Sequence, residues 1–164
     1  MSVRLIGTGA ADGWPTPFCT CASCVSERAA GRARAQASAL VDDRVLLDCA
    51  PSTPFVAERL GISLAGVRLL LHTHQHTDHF SPATLMYRSW VTDAPLTVAG
   101  TPDVIAAAQH WLPAEAPVTP IALQPGETHD LHGYRVRALE ANHRTGLGDG
   151  IAAEALLYDL ITPD

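Results

Sequence analysis

The sequence LLHTHQHTDHF, residues 70–80, holds four of the eight histidines of the chain within eight positions. Only one register of this stretch ends in Asp-His, and it gives the pattern His74-x-His76-x-Asp78-His79. Residues two apart in an extended segment point the same way, so His74 and His76 can bind one ion. Asp78 and His79 then face a second position once the backbone turns. Imidazole and carboxylate are preferred ligands of zinc and related ions, so the stretch predicts a metal site rather than a merely histidine-rich polar loop.

The histidines follow an apolar strand within a pattern of alternating strands and helices. Early strands are expected at 3–6, 38–41, 44–47, 67–71 and 95–99, and helices at 22–35, 54–60, 82–90 and 101–112. Asp42-Asp43 is expected to form the turn of a hairpin. Only strands follow, at about 119–123, 127–131, 133–140 and 152–161. This order predicts one layered α/β domain over residues 1–164.

Composition narrows the classes of function. The chain is 47% hydrophobic and 17% charged, as expected for a globular domain, and its formal net charge is −6 without a basic run. A nucleic-acid partner is therefore not expected. The N-terminus enters a strand without the features of a signal peptide, and no apolar run is long enough to span a bilayer. These features predict a cytoplasmic protein without a membrane partner, whose cysteines stay reduced.

A second group of donors lies in the sequence CTCASC, where Cys19, Cys21 and Cys24 stand within six residues. Three thiolates at this spacing predict a structural zinc site, and the alternative is a set of buried or free thiols. The fourth ligand is not evident. Cys49 could serve by its chemistry, but its position beside Asp48 at the end of a strand favours a small buried residue near the active site.

Several other histidines and glycines could suggest a functional site, but each has a structural interpretation. His72 falls outside the register and is expected to be a hydrogen-bond donor behind the ligands or an exposed strand end. Gly7-Thr8-Gly9 predicts a tight turn, because no further glycine completes a nucleotide-binding pattern. The histidines expected at the surface are His110, His129 and His132.

The stretch HTHQHTDH after an apolar strand resembles the signature of the metallo-β-lactamase superfamily. This resemblance implies an αββα sandwich with a two-metal site between the sheets. Asp48 in LLDCAP resembles the acidic residue of the family after its second hairpin strand, and Asn142-His143 in LEANHRTG resembles its next histidine motif. By the resemblance, the ligands of the first metal are His74, His76 and His143, and those of the second are Asp78 and His79. Zinc is the expected metal, with manganese as the alternative.

The cysteine loop after GTGAADGWP resembles the phosphoribosyl cyclic phosphate phosphodiesterases, and more loosely the pyrroloquinoline quinone biosynthesis protein B group. In the first group, a histidine near the C-terminus completes the zinc site. The bridging carboxylate of the family and its last histidine would lie after residue 164, and neither Asp159 nor Asp164 matches them. The expected fold is therefore a sandwich truncated in its second half.

The resemblance implies a metal-dependent hydrolase that cleaves a small or cyclic phosphodiester by attack of a metal-bound hydroxide, with Asp78 and His79 as catalytic candidates. One alternative is a metal-binding protein without turnover, such as a cofactor-biosynthesis accessory. Another is a nuclease of the tRNA-processing type, which the acidic balance disfavours. The last expected strand leaves an open edge, which predicts a homo-oligomer.

Overall fold

The computed structural model describes residues 1–143 and 154–162. Its elements, in chain order, are β1 (Val3–Gly7), α1 (Ala22–Ala29), β2 (Ser38–Val41), β3 (Val45–Leu47), α2 (Thr53–Arg59), β4 (Leu69–Leu71), α3 (Pro82–Ser89), β5 (Leu96–Gly100), α4 (Pro102–Trp111), β6 (Val118–Ala122), β7 (Thr128–Leu131), β8 (Tyr134–Glu140) and β9 (Leu156–Ile161).

The strands form two sheets. The larger sheet has the order β1-β2-β3-β4-β5-β6, and the smaller has the order β7-β8-β9. β1 and β3 both run antiparallel to β2, whereas β3, β4, β5 and β6 are parallel to one another. The carboxyl ends of β1, β3, β4, β5 and β6 therefore lie along one edge of the larger sheet, here called the carboxyl edge. In open α/β sheets, ligands bind beyond this edge.

Alternating side chains bury the two faces of the larger sheet in different cores. Leu46, Leu70 and Val98 pack towards the helices, with residues of α2, α3 and α4. Their neighbours Leu69 and Leu71 pack against the smaller sheet. Because both faces are covered, the central strands are apolar without interruption, as parallel strands buried on two sides require. The layers are thus helices, larger sheet and smaller sheet.

The expected elements are confirmed, with differences at their ends. The turn at Asp42-Asp43 forms with φ of 48° and 57°. The largest error concerns α1, which was predicted over 22–35 and ends at Ala29. Gly31 has a φ of 68°, which stops the helix, and Arg34 then pairs its backbone with Trp14 in both directions.

The smaller sheet is covered on one face only within the part of the chain that is described. β9 lies at its edge, and the side chains of Leu157 and Ile161 are more than half exposed on its outer face. The homo-oligomer expected from this edge stays a prediction. Among the described residues, no helix has both the length and the apolar character to cross a membrane.

Candidate metal centre

The histidine stretch leaves β4 at the carboxyl edge, where main-chain hydrogen bonds fix its path. The amide of Asp48, directly after β3, donates to the carbonyl of Leu71 at 2.9 Å, and the amide of Cys49 donates to the carbonyl of His79 at 2.8 Å. The smaller sheet holds the same stretch, because the amide of Leu156 donates to the carbonyl of Thr73 at 2.8 Å. The loop is therefore held between the two sheets.

Three of the predicted ligands meet in this loop. His74, His76 and His143 each offer a ring nitrogen such that the three atoms lie within 4.8 Å of one another. Nε2 of His143 is 3.3 Å from Nδ1 of His76, although 67 positions separate the two residues. His143 follows β8, so the group exists only when the smaller sheet lies against the larger one. The structure therefore brings these three histidines together, and their role as metal ligands stays a prediction.

Asp48 organises this group from behind. Its carboxylate accepts hydrogen bonds from the Thr73 amide at 2.8 Å, the Thr73 hydroxyl at 2.9 Å and Nδ1 of His79 at 2.6 Å. A φ of 55° turns Asp48 towards the loop, in the left-handed region that aspartate and asparagine tolerate better than most residues. Its carboxylate therefore orients both the stretch before His74 and the ring of His79.

These hydrogen bonds also select the tautomers. The Thr73 hydroxyl donates to Asp48, so it must accept its 2.9 Å hydrogen bond from Nδ1 of His74. His74 then carries its proton on Nδ1 and keeps the lone pair of Nε2 for a ligand, and His79 donates from Nδ1 to Asp48. Such outer hydrogen bonds fix the ring orientation and raise the basicity of metal-binding histidines.

Protonation equilibria favour an ionised Asp48 and a neutral His74. Burial, helped by the neighbouring imidazoles of His79, His143 and His76, lowers the pKa of His74 to about 4. Burial alone would raise the pKa of Asp48, but the imidazoles of His72 and His79 and the amide of Thr73 lower it to about 2. At neutral pH, His74 is therefore a neutral imidazole, and Asp48 behind it is a carboxylate anion.

Asp78 and His79 lie next to this group without being part of it. Nε2 of His79 is 3.1 Å from Oδ2 of Asp78, and the same ring reaches Asp48 with Nδ1. The hydrogen bond to Asp48 raises the pKa of His79, because the imidazolium can donate to a carboxylate on each side. The rings of His79 and His74 are 4.3 Å apart, so the predicted second position borders the first.

His72 is buried behind the loop, which excludes the alternative of an exposed strand end. Its Nδ1 is 3.2 Å from the carbonyl oxygen of His79, so Nδ1 carries the proton, and its Nε2 has no hydrogen-bond partner in the described residues. Sequence reasoning missed Tyr158, whose hydroxyl donates to the carbonyl of His72 at 2.6 Å. Its signal is its inward position in the alternation of β9.

The three cysteines also converge. The sulfurs of Cys19, Cys21 and Cys24 lie within 4.8 Å of one another, at the start of α1. The backbone amide of Cys24 and the thiols of Cys19 and Cys24 lower the pKa of Cys21 to about 7, so its thiolate is well populated at neutral pH. Arg28 ties the loop to the helix by donating to the carbonyls of Thr16 and Cys19 at 3.3 Å.

The remaining sequence-based assignments concern Cys49, Asp159 and Asp164. Cys49 is buried beside Asp48, as expected, and burial raises the pKa of its thiol to about 12. Asp159 is exposed on the outer face of β9, opposite to the inward Tyr158, which agrees with the exclusion of Asp159 as a bridging ligand. Asp164 lies outside the described residues.

A family model described as the Beta-lactamase superfamily domain matches residues 43–157, which include the histidine stretch and His143. No curated protein gives a match. The chain is also similar to solved structures. Zn²⁺-bound PqqB from Methylobacterium extorquens superposes with a TM-score of 0.73 at 23% identity, over 96% of this chain and 58% of that one.

Two further structures have the same fold. A diphosphatase from the PhnP family gives a TM-score of 0.73 at 24% identity, over 96% of this chain and 61% of that one. The short form of human tRNase Z gives a TM-score of 0.64 at 17% identity, over 99% of this chain and 64% of that one. The present chain thus spans about three-fifths of the length of these structures. At such identities the similarity establishes the fold alone.

Proposed function

Because the chain belongs to the metallo-β-lactamase superfamily, whose members are generally metal-dependent hydrolases, we propose that it hydrolyses a small or cyclic phosphodiester. The observation that carries the proposal is the convergence of His74, His76 and His143 beside the Asp78–His79 pair at the carboxyl edge. A phosphodiesterase needs a site that holds an anionic substrate although the protein is itself acidic, and bound cations provide the local positive charge.

The donors present fit two metal ions, for which zinc is the proposed identity. His74, His76 and His143 would hold one ion, since three neutral imidazoles form a sufficient zinc site. Asp78 and His79 would contribute to the other. When bound, the ions supply an activated water and electrostatic stabilisation of the phosphoryl oxygens. A third zinc at the cysteine loop would be structural, because soft thiolates favour that ion.

The side chains of this loop prepare both positions. Asp48 holds a proton on Nδ1 of His79 and, through Thr73, on Nδ1 of His74, which leaves Nε2 of His74 available to an ion. Asp78 is partly exposed and can accept a proton from the attacking water. Nε2 of His79, 3.1 Å from Oδ2 of Asp78, holds the Asp78 carboxylate in place. Asp78 and His79 are therefore the proposed catalytic residues.

Metal content and turnover measured together test this proposal. We expect the zinc-loaded protein to hydrolyse bis(p-nitrophenyl) phosphate, and we expect His76→Ala to lose one zinc per chain together with that activity. His110→Ala is the matched control, because His110 is exposed on α4 and should bind no metal. Equal activity in the two variants would refute the assignment of the centre.

The same measurements separate the alternatives. Tightly bound zinc without turnover of any phosphodiester would identify a metal-binding protein, such as a cofactor-biosynthesis accessory. Cleavage of a tRNA precursor in preference to small diesters would identify a processing nuclease.

We also propose a cytoplasmic location, which the free state of Cys19, Cys21, Cys24 and Cys49 supports.

A further inference from the structure

A second feature of the carboxyl edge lies beyond the end of β1. A cavity of about 320 Å³ is bounded by Thr8, Gly9, Ala10, Trp14 and Arg34. Ligand pockets begin at about 300 Å³, so this cavity has room for one ring system rather than a whole substrate. One of its walls is Thr8 to Ala10, which stays extended and pairs Gly9 with Gln36. The tight turn predicted at Gly7-Thr8-Gly9 is therefore wrong, and the chain turns at Ala11-Asp12 instead.

Trp14 and Arg34 give the cavity its chemistry. The guanidinium carbon of Arg34 lies 5.6 Å from the centre of the Trp14 ring, within the range of a cation–π contact. The two backbones pair in both directions, at 2.9 Å and 2.6 Å, so the side chains are held side by side. Trp14 is half-buried and Arg34 is exposed, which leaves a planar, positively charged surface open to a ligand.

Arg34 differs in its contacts from the arginines before it. Arg32 forms a two-pronged ion pair with Glu27, and Arg28 donates to two carbonyls of the cysteine loop. Arg34 makes no ion pair and no side-chain hydrogen bond with another residue of the described segments. Its fork of donors is therefore free to face a ligand.

The cavity stands beside the candidate metal centre. β1 is two strands from β3 and three from β4, so at about 4.8 Å per strand the end of β1 is offset across the sheet by about 10 Å from the end of β3 and by about 14 Å from the end of β4. Gln36 links the two regions, because it donates to the carbonyl of Ala11 at 3.2 Å and accepts from the hydroxyl of Ser52, after β3.

We propose that the Trp14–Arg34 cavity binds the nucleobase of a nucleoside phosphodiester whose phosphate lies at the metal centre. Bases stack on aromatic rings and on arginine planes. The assignment rests on the proposed function and narrows its substrate class. Trp14 and Arg34 are specificity-determining residues, which act on binding and leave the reacting atoms to the metal centre.

Two substrates with the same leaving group test this assignment. Thymidine 5′-(p-nitrophenyl phosphate) carries a base, and methyl p-nitrophenyl phosphate does not. In zinc-loaded protein, we expect Trp14→Leu and Arg34→Gln each to lower kcat/KM for the nucleoside substrate at least about tenfold, through KM, and to leave the methyl substrate unchanged. Arg32→Gln, in the paired arginine nearby, should change neither value.

Binding measured without turnover keeps the test independent of catalysis. By calorimetry, AMP should bind the protein at least about tenfold more tightly than ribose 5-phosphate, and Arg34→Gln should remove that difference. If no phosphodiester is hydrolysed but this difference is found, the proposed function fails and the cavity assignment stands. Equal binding of the two ligands, or an equal loss for both p-nitrophenyl substrates in the variants, would overturn the assignment. Trp14→Phe and Arg34→Lys provide milder variants should Trp14→Leu fail to fold.

Discussion

The histidine centre and the cysteine loop each bring three donor atoms within 4.8 Å, yet they are built in different ways. The cysteine donors come from six consecutive residues at the start of one helix. The histidine donors follow strands of both sheets, and Asp48, an anionic residue from a third segment, orients one of them, His74, through Thr73. The two groups therefore share a donor geometry but not the structure that supports it.

This difference predicts that changes in the two regions affect different properties of the protein. A local cluster can hold its ion with little help from the rest of the fold, and its ion in turn fixes a loop. A centre assembled from distant residues depends on the whole sandwich and gains an environment that sets tautomers and pKa values. We therefore expect changes in the first region to alter stability and changes in the second to alter chemistry.

The largest expected effect is that of His143→Ala. Removal of this ligand should abolish binding of one active-site zinc and lower phosphodiesterase turnover about 1,000-fold, a barrier increase of about 4 kcal/mol. Melting of the metal-free protein should change little, because the described contacts of His143 are with the other ligands. His129→Ala, in β7, is the control. A large loss of stability without loss of zinc would contradict the comparison.

A smaller effect is expected for Asp48→Asn. Asparagine tolerates the φ of 55° but cannot hold two imidazole tautomers as a carboxylate does. Zinc affinity at the histidine centre should fall by about 10–100-fold, as is typical when an outer partner is lost. Competition with a chromogenic chelator measures this affinity. The loop zinc should be unaffected, and Asp159→Asn on the outer face of β9 should change neither site.

Cys21→Ser addresses the other half of the comparison. We expect the loss of one zinc per chain and a fall in melting temperature of about 5 °C, which corresponds to roughly 1–2 kcal/mol in a domain of this size. kcat/KM should stay within about threefold of the wild type, a change of less than 1 kcal/mol in the barrier. Ser23→Ala, an exposed change in the same helix, is the control. Rapid reaction of the native, zinc-loaded protein with a chromogenic disulfide would argue against a cysteine-bound ion.

The smallest expected effect is a dependence on pH in the metal-free protein. The hydrogen bond to Asp48 raises the folded-state pKa of His79, so its stabilising contribution is complete below its unfolded pKa, about 6.5, and is lost as the pH rises through the folded value. His79→Gln should therefore destabilise the chelator-treated protein more at pH 5.5 than at pH 9. Denaturant unfolding measures this, with His110→Gln as the control. An equal loss at both values would mean that the Asp48–His79 pair does not titrate as described.

Sequence periodicity and spacing were sufficient for most of the fold and for the positions of the histidine stretch and the cysteine loop, whereas His143 was assigned by the resemblance to the superfamily. The strand before His74, the helix after His79 and the cysteine spacing are local patterns, and the structure reproduces each of them. The excess length predicted for α1 has a physical cause, since a polar segment rich in alanine and arginine favours a helix until Gly31 and the pairing with Trp14 stop it.

What the sequence could not supply are contacts between distant segments. Thr73 mediates between Asp48 and His74, and the Tyr158 hydroxyl reaches the carbonyl of His72 across 86 positions. Thr73 stands inside the HTHQHTDH stretch but is not one of its expected ligands, and Tyr158 belongs to no motif. The cavity at Trp14 and Arg34 could not be predicted from the sequence for the same reason, because a β-bridge across 20 positions brings these two residues together.

The position of His143 after β8 has a consequence for the order of assembly. The cysteine donors can meet as soon as a short stretch of chain is free to move, because closing so small a loop takes well under a microsecond. The histidine donors must wait until a segment of 67 residues has closed and the second sheet has docked, a non-local event that slows folding. Zinc capture at the cysteine loop can then precede the collapse of the chain. Capture at the histidine centre would follow it and would report, in a kinetic experiment, that the native topology is complete.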